Sequence, residues 1–244
     1  MAQGDFTNIL PDPNNAYNNA GQATGTQKGP GYSQVKLTSQ HELMKSRTNS
    51  GRLIAIDNSH HKWNIDISYN PMTRDEFEPI NSFLNQRRSF LKPFKVSLPQ
   101  YRFPRDAQFK TVSSHYNSLS PTTDTEAGIT NLYVTNTGYN RNTHGTPLPG
   151  DIFNISDSTD SNHEKAYQVT HVETSSDYQS SAPADTAHIR IHFIPALQRN
   201  VDSSATLTFF NPLFRVITTN DTQAYSLGTN NLYGFSLKLE EAQK

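Results

Sequence analysis

The sequence predicts a mainly β fold: an antiparallel β-sandwich with one short helix and an inserted second β-module, barrel-like in form. Three observations predict it. Short segments in which apolar and polar residues alternate follow one another, separated by Asn, Asp, Gly, Pro and Ser. Only the stretch YNPMTRDEFEPINSFL, at positions 69–84, shows apolar residues at helical spacing. The last two alternating segments lie far from the first four, so we expect them to return and pair with the first strands.

The totals exclude several classes of protein. The 244 residues carry a net charge of −1 and include no cysteine. A disulfide framework, a zinc–thiolate site and thiol catalysis are therefore excluded, and stability must come from packing or assembly. No block of like charge occurs, so we expect neither nucleic acid contact by direct readout nor membrane binding.

The first residues predict neither a leader nor an anchor. They lack the basic and apolar regions of a secretory signal, and no window approaches the roughly 18 apolar residues of a membrane span. We therefore expect a protein that is made and used without export. Residues 1–31 are rich in Gly, Asn, Pro and Gln and show no period. They predict an arm that is either disordered or ordered by assembly against a neighbouring subunit.

The first domain is predicted to comprise residues 32–105 and 211–244. It begins with the alternating segment YSQVKLTS and the apolar run RLIAID. The next segment, KWNIDISY, has the period of two of a half-buried strand. Its apolar face is Trp63, Ile65, Ile67 and Tyr69.

Two residues compete for the start of the helix. Thr73 can be the N-cap, because Glu76 three positions later completes a capping box. Asp75 is the alternative, because Pro79 then lies closer to the first turn, where proline is tolerated. Either choice predicts a short or kinked helix.

The helix presents one apolar stripe to a core. Met72 and Phe77 occupy the positions of a hydrophobic staple, and the stripe consists of Phe77, Ile80, Phe83 and Leu84. The helix is predicted to end near Arg87 and Arg88, which suit the negative end of the dipole. An interface role is the alternative for these two arginines.

The strand PFKVSLPQY follows the helix, and its apolar face is Phe94, Val96 and Leu98. A parallel crossover would fit this order, but the surrounding turn-linked strands favour a helix packed over the edge or end of an antiparallel sandwich. Residues 106–210 are predicted to form the inserted β-module. Its strands are NLYVTN, GDIFNIS, KAYQVTHVE, HIRIHFIPAL and ATLTFF, and LFRVITT and YGFSLKLEE then return to the first domain.

No side-chain cluster in the sequence predicts catalysis, a cofactor site or a metal site. His60 and His61 point to opposite faces of a strand, and on a strand His188 and His192 would lie roughly 13 Å apart. The acidic loop at 157–164 lacks the spacing of a calcium-binding loop, so we interpret it as a solvated turn. The common hydrolase, protease and nucleotide motifs are absent, although 22 acidic residues leave a glycosidase pair open.

The segment RLIAIDNSHHKWNIDISYNPMTRDEFEPINSFLNQRRSFLKPFKVSLPQY resembles the N-terminal part of phage distal tail and baseplate hub proteins. In that family a strand with an aromatic residue precedes a P-[LM]-[ST]-x-x-E/D-F-x-x-[IL]-x-x-F-L helix and a strand that ends in a Pro–aromatic turn. The matching residues are Trp63, Pro71, Met72, Thr73, Glu76, Phe77, Ile80, Phe83, Leu84, Phe94 and Leu98. The later segments PGDIFNI, HEKAYQVT and NPLFRVITTNDTQAYSLGTNNLYGFSLKLEE are similar to the second half of such proteins. One departure is Arg88–Ser89, where the family helix usually ends with a glycine.

The resemblance implies a structural subunit of the virion tail, assembled in the host cytoplasm. Such proteins form a ring, commonly of six copies, that joins the tail tube to the baseplate hub or to fibres. The helix would then be a rigid element of the contact between subunits. The alternative is a carbohydrate-binding or carbohydrate-cleaving β-sandwich of a tail fibre or cell-surface recognition protein, for which eleven tyrosines offer stacking surfaces.

Overall fold

The computed structural model describes residues 8–11, 16–17, 23–28, 30–174, 177, 185–220 and 224–242. The chain forms two compact units, Met1–Phe94 with Val216–Ala242, and Lys95–Arg215. The strands are β1 Ala16–Tyr17, β2 Ala23–Lys28, β3 Tyr32–Arg47, β4 Leu53–Tyr69, β5 Phe94–Ser97, β6 Ser120–Pro121, β7 Asn131–Thr135, β8 Ile152–Ser156, β9 Ala166–Thr174, β10 Ile189–Ile194, β11 Thr206–Thr208, β12 Leu213–Thr218, β13 Ser226–Leu227, β14 Tyr233–Gly234 and β15 Ser236–Glu241. The α-helices are α1 Arg74–Arg87, α2 Ser113–Tyr116 and α3 Arg141–His144.

The predicted fold class is confirmed. Strands make up 41% and helices 16% of the structure, the sheets are antiparallel, and one of them is a nearly closed, barrel-like sheet. Besides α1, which the helical spacing predicted, two single-turn helices and three 3₁₀ turns interrupt the second unit and the end of α1. Within the described residues, no helix is long and apolar enough to cross a membrane.

The main sheet of the first unit has the order β3-β4-β15-β12-β5. Strand β15 pairs antiparallel with β4 from Ser68 to Asn64, and β12 pairs antiparallel with β15. The prediction that the last two alternating segments return to the first strands is therefore confirmed. The assignment of residues 106–210 to an inserted module stays a prediction, and the chain passes between its two compact units at Phe94 and at Val216.

The core of the first unit lies under the alternating face of β4. Trp63, Ile65 and Ile67 are buried there, because every second side chain of a strand points to the same face. Helix α1 packs against the sheet through aromatic rings. Phe83 meets Phe94 edge to face, with ring centroids 5.3 Å apart.

The second unit is built on a sheet of order β11-β8-β9-β10-β7-β6. An antiparallel bridge between Leu119 and Leu207 joins the two end strands, so the sheet almost closes on itself. A barrel of this kind leaves few free strand edges. Aromatic residues fill its interior, among them Phe153, Tyr167 and Phe193.

The predicted arm, residues 1–31, lies largely outside the described residues. In the part that is described, Leu10 is fully buried and β1 pairs antiparallel with β2. The run RLIAID and the segment KWNIDISY form one strand, and the strand that begins with YSQVKLTS extends to Arg47. The first two long strands are therefore far longer than the sequence predicted.

Candidate interaction surfaces

The N-terminus of α1 is fixed by a capping box. The backbone N–H of Thr73 and its hydroxyl both donate to Glu76 Oε2, each at 2.9 Å. The carbonyl of Thr73 accepts the first helical bond from the N–H of Phe77 at 3.0 Å. Thr73 is therefore the cap, and Asp75 is not. Pro79 lies inside the helix, past the first turn.

The apolar residues predicted for the core and helix are consumed by the chain's own packing. Each of them is at most 2% exposed: Trp63, Met72, Phe77, Ile80, Phe83, Leu84, Phe94 and Leu98. Since buried side chains cannot contact another molecule, any surface that this region offers must come from other residues.

The C-terminus of α1 carries the two predicted arginines. The Arg87 guanidinium lies over the Phe83 ring, 4.9 Å from its centroid, so it packs on its own helix. Arg88 is exposed and adopts the left-handed conformation, with φ of 53°. Ser89 follows with φ of 55°, and its hydroxyl lies 2.9 Å from the Thr218 hydroxyl. An interface role for Arg87 or Arg88 stays a prediction.

One exposed apolar patch lies at the start of α1. Met72 and Tyr233 form an antiparallel bridge, and β14, which contains Tyr233, pairs with β13. The Phe77 ring stacks on Tyr233 at 4.7 Å and contacts Tyr225 at 5.0 Å. Tyr225 is 55% exposed and Leu227 is 54% exposed. These contacts hold two large apolar side chains in place beside the helix, in contact with water.

Carboxylates border this patch. Asp75 and Glu76 are exposed at the helix start, and Glu78 is half-buried, with Oε1 3.5 Å from Arg74 Nε. Acidic residues in this position also suit the positive end of the helix dipole. We call the exposed part of this surface, Asp75, Glu78, Tyr225 and Leu227, the helix-start patch.

Strands β3 and β4 form a hairpin that extends well beyond its sheet. Pairing between them continues from Tyr32↔Tyr69 to Arg47↔Leu53, whereas β15 pairs with β4 only between Ser68 and Asn64. The 11 positions from Leu53 to Trp63 correspond to roughly 30 Å of strand at about 3.3 Å per residue. Over this length the described part of the chain provides no third strand.

The hairpin leaves the sheet at a pair of histidines. His41 and His61 face each other across the strands, and the register shifts immediately beyond them. The buried His61 ring packs edge-on against Trp63, with centroids 4.6 Å apart, and its Nε2 lies 2.9 Å from Ser39 Oγ. A bulge of this kind twists and re-aims the strands that follow it.

The end of the hairpin combines apolar and basic side chains. We call residues 43–56 the hairpin tip. A turn closed by the N–H of Thr48 bonding to the Arg52 carbonyl at 3.0 Å ends it, and Gly51 there adopts φ of 82°, which glycine tolerates. Three apolar side chains are about half or more exposed: Met44 64%, Leu53 54% and Ile54 46%.

The charges of the tip all have one sign. Its cations are Lys45, Arg47 and Arg52, and its sequence includes no Asp or Glu. Both the tip and the helix-start patch escaped prediction from the sequence. The one signal for the tip was the run of 14 residues with three cations and no anion, which is uncommon in a chain of net charge −1.

The second unit contains a polar cleft of about 450 Å³. Glu164 lies at its wall and bridges Lys95 and Arg215, each at 3.0 Å. Asp160 pairs with Arg199 at 3.0 Å. The charges of the loop predicted as a solvated turn are thus compensated by protein cations.

Histidine and carboxylate side chains of the second unit pair locally. His192 Nε2 lies 3.3 Å from Glu173, and His188 pairs with Asp185. Among the residues that the structure describes, no group of three or more His, Asp or Glu side chains is arranged to hold a metal ion. The side chain of His60 lies outside the described residues.

Comparison with known proteins gives two findings. The family model of the N-terminal part of the A domain of distal tail protein pb9 matches residues 10–101, a range that contains the whole hairpin and α1. The distal tail protein pb9 of Escherichia phage T5 is 25% identical to the chain over 238 residues, which is 96% of this chain and 98% of the relative.

Proposed function

Because this chain belongs to the phage distal tail proteins, we propose that it forms a closed ring of six copies at the end of the tail tube. The ring joins the tube to the baseplate hub or to fibres. The subunit is a component of the virion tail, and its assembly takes place in the host cytoplasm.

The observation that carries the proposal is the hairpin that extends past its sheet. A two-stranded ribbon is marginally stable in water unless something packs against it, and its free edges invite pairing with another chain. The tip nevertheless keeps large apolar side chains in water in a single chain. A neighbouring copy in a ring would cover them, and a ring offers the same neighbour to every copy.

We propose a structural role without catalysis. The T5 relative is named for a position in the tail and not for a reaction. Glu164, Asp157 and Asp160 in the cleft are engaged by the chain's own cations and backbone N–H groups, an arrangement that supports a structural use of these carboxylates. The carbohydrate-binding alternative gains no support from the names of the proteins that match.

Light scattering after size-exclusion chromatography tests the ring. We expect a species with a mass near six times the 27.4 kDa of one chain, and closed rings in negative-stain images. A chain that remains monomeric at every concentration and binds glycans on an array would contradict the proposal and support the carbohydrate alternative.

A further inference from the structure

Resting on the ring proposed above, we propose that the hairpin tip of one copy docks on the helix-start patch of the next copy. Both surfaces belong to the first compact unit, so the inference needs only that unit. It names the two halves of the contact that would build the ring.

The chemistry of the two surfaces is complementary. Each has an apolar centre, made by Met44, Leu53 and Ile54 on the tip and by Tyr225 and Leu227 on the helix-start patch. An interface of this composition excludes water from its centre and leaves its charges at the rim.

The charges at the two rims have opposite signs. The tip carries three cations and no anion. The helix start carries Asp75, Glu76 and Glu78 against the single cation Arg74. Opposite potentials steer two surfaces together and fix their register, and they penalise the contact of two like surfaces. A tip-to-tip or patch-to-patch contact would place like charges together, so the pairing favours one tip with one patch.

The two surfaces cannot be partners within one chain. They lie at opposite ends of β4, because the tip contains Leu53 and α1 begins just after Tyr69. Seventeen residues of strand correspond to roughly 50 Å at about 3.3 Å per residue. Consistent with that separation, both apolar centres are about half exposed in the single chain. The occupant of each surface is therefore another copy.

A contact between two different surfaces of the same molecule propagates. Each copy would give its tip to one neighbour and its helix start to the other, a head-to-tail arrangement. Such a contact closes into a ring when its rotation divides a full turn, whereas a contact between identical surfaces would stop at a dimer. The separation of tip and patch along β4 thus explains why assembly would give a ring.

Reversing the charges tests the pairing directly. The tip variant is Arg47→Glu with Arg52→Glu, and the patch variant is Asp75→Lys with Glu78→Lys; Glu76 is kept because it caps the helix. We expect each variant alone to associate roughly tenfold or more weakly than the wild type. An equimolar mixture should regain assembly, because acidic tips then meet basic patches and basic tips meet acidic patches. The matched control, Arg102→Glu with Lys110→Glu in the second unit, alters two exposed cations and should assemble like the wild type.

Cross-linking provides a second readout that does not depend on stable rings. The chain has no cysteine, so copies with Leu53→Cys and copies with Leu227→Cys can be mixed and treated with a short bis-maleimide. We expect linked dimers from this mixture and none when Leu91→Cys, also at an exposed leucine, replaces Leu227→Cys.

The outcomes separate this inference from the ring itself. If the wild type forms rings but both charge variants also form them and no tip-to-patch dimer is linked, the ring stands and the docking proposal is wrong. The tip would then serve a different tail protein. If the wild type stays monomeric and no dimer is linked, both proposals fail.

Discussion

The backbone N–H of Trp63 donates a hydrogen bond to Glu241 Oε2 at 3.1 Å, across a sequence separation of 178 residues. Both residues are buried. This bond ties β4 to β15, the last strand of the chain, beside the point where the hairpin leaves the sheet. The base of the hairpin is thus anchored in the best-packed part of the first unit, while its far end is exposed.

Trp63→Ala should lower the free energy of unfolding by about 3–5 kcal/mol, because it removes a fully buried aromatic side chain and leaves a cavity. Urea unfolding followed by far-UV circular dichroism measures this, since the substitution removes the only tryptophan. Leu91→Ala, at a leucine that is 74% exposed, is the control and should change stability by less than about 0.5 kcal/mol. Coincident unfolding curves for Trp63→Ala and the wild type would show that Trp63 is not buried.

The periodic segments were predictable because each carries its own evidence. In KWNIDISY the apolar positions alternate, and the exposure of β4 follows the same period from His61 to Tyr69. The capping-box spacing of Thr73 and Glu76 likewise placed the start of α1. These signals are local, so one sequence suffices to read them.

The two candidate surfaces were not predictable for the opposite reason. The apolar run at Leu53 and Ile54 has the composition of a buried strand, yet both side chains are about half exposed. A local pattern shows which residues share a face, but burial depends on whether a distant element covers that face. Here β15 ends its pairing at Asn64, and the length of β15 cannot be read from the tip. The position of Tyr225 beside Phe77 is equally a product of long-range packing.

Glu76→Ala should destabilise the first unit by about 1 kcal/mol, because it removes the carboxylate that accepts from both the N–H and the hydroxyl of Thr73. The control is Glu78→Ala, which removes only an exposed pair with Arg74 and should cost about 0.3–0.5 kcal/mol. Urea unfolding compares the two. Equal losses would mean that the capping box adds nothing to the stability of the helix.

Arg88→Gly should stabilise the protein by about 0.5 kcal/mol. Arg88 adopts a left-handed conformation that costs an L-residue roughly 1–2 kcal/mol, and the greater freedom of glycine in the unfolded chain offsets part of the gain. Ser89→Gly is the comparison, because it relieves a similar conformation but loses the hydrogen bonds of Ser89 to Thr218 and Asn220. Thermal melts should place Arg88→Gly above the wild type and Ser89→Gly below Arg88→Gly. A lower melting temperature for Arg88→Gly would contradict this.

The stability of the second unit should fall as the pH drops from about 6.5 to about 4. Burial lowers the pKa of His163 to about 4 from an ordinary value of 6.5. Between these values the unfolded chain binds a proton that the folded chain does not, so acid favours unfolding by up to about 3 kcal/mol. Burial and the neighbouring His144 also lower the pKa of His115, which acts in the same direction.

Urea unfolding at a series of pH values measures this slope. His163→Gln should flatten it, leaving the part that comes from His115. His171→Gln, at an exposed histidine, should keep the full slope. A slope unchanged by His163→Gln would show that His163 is protonated in the folded protein as readily as in the unfolded chain.

A cryo-EM map of the assembled chain tests the proposed ring most directly. We predict a closed ring of six copies in which residues 43–56 of each copy lie against Asp75, Glu78, Tyr225 and Leu227 of the next. A map in which the hairpins contact no neighbouring copy, or in which the copies form no closed ring, would contradict this account.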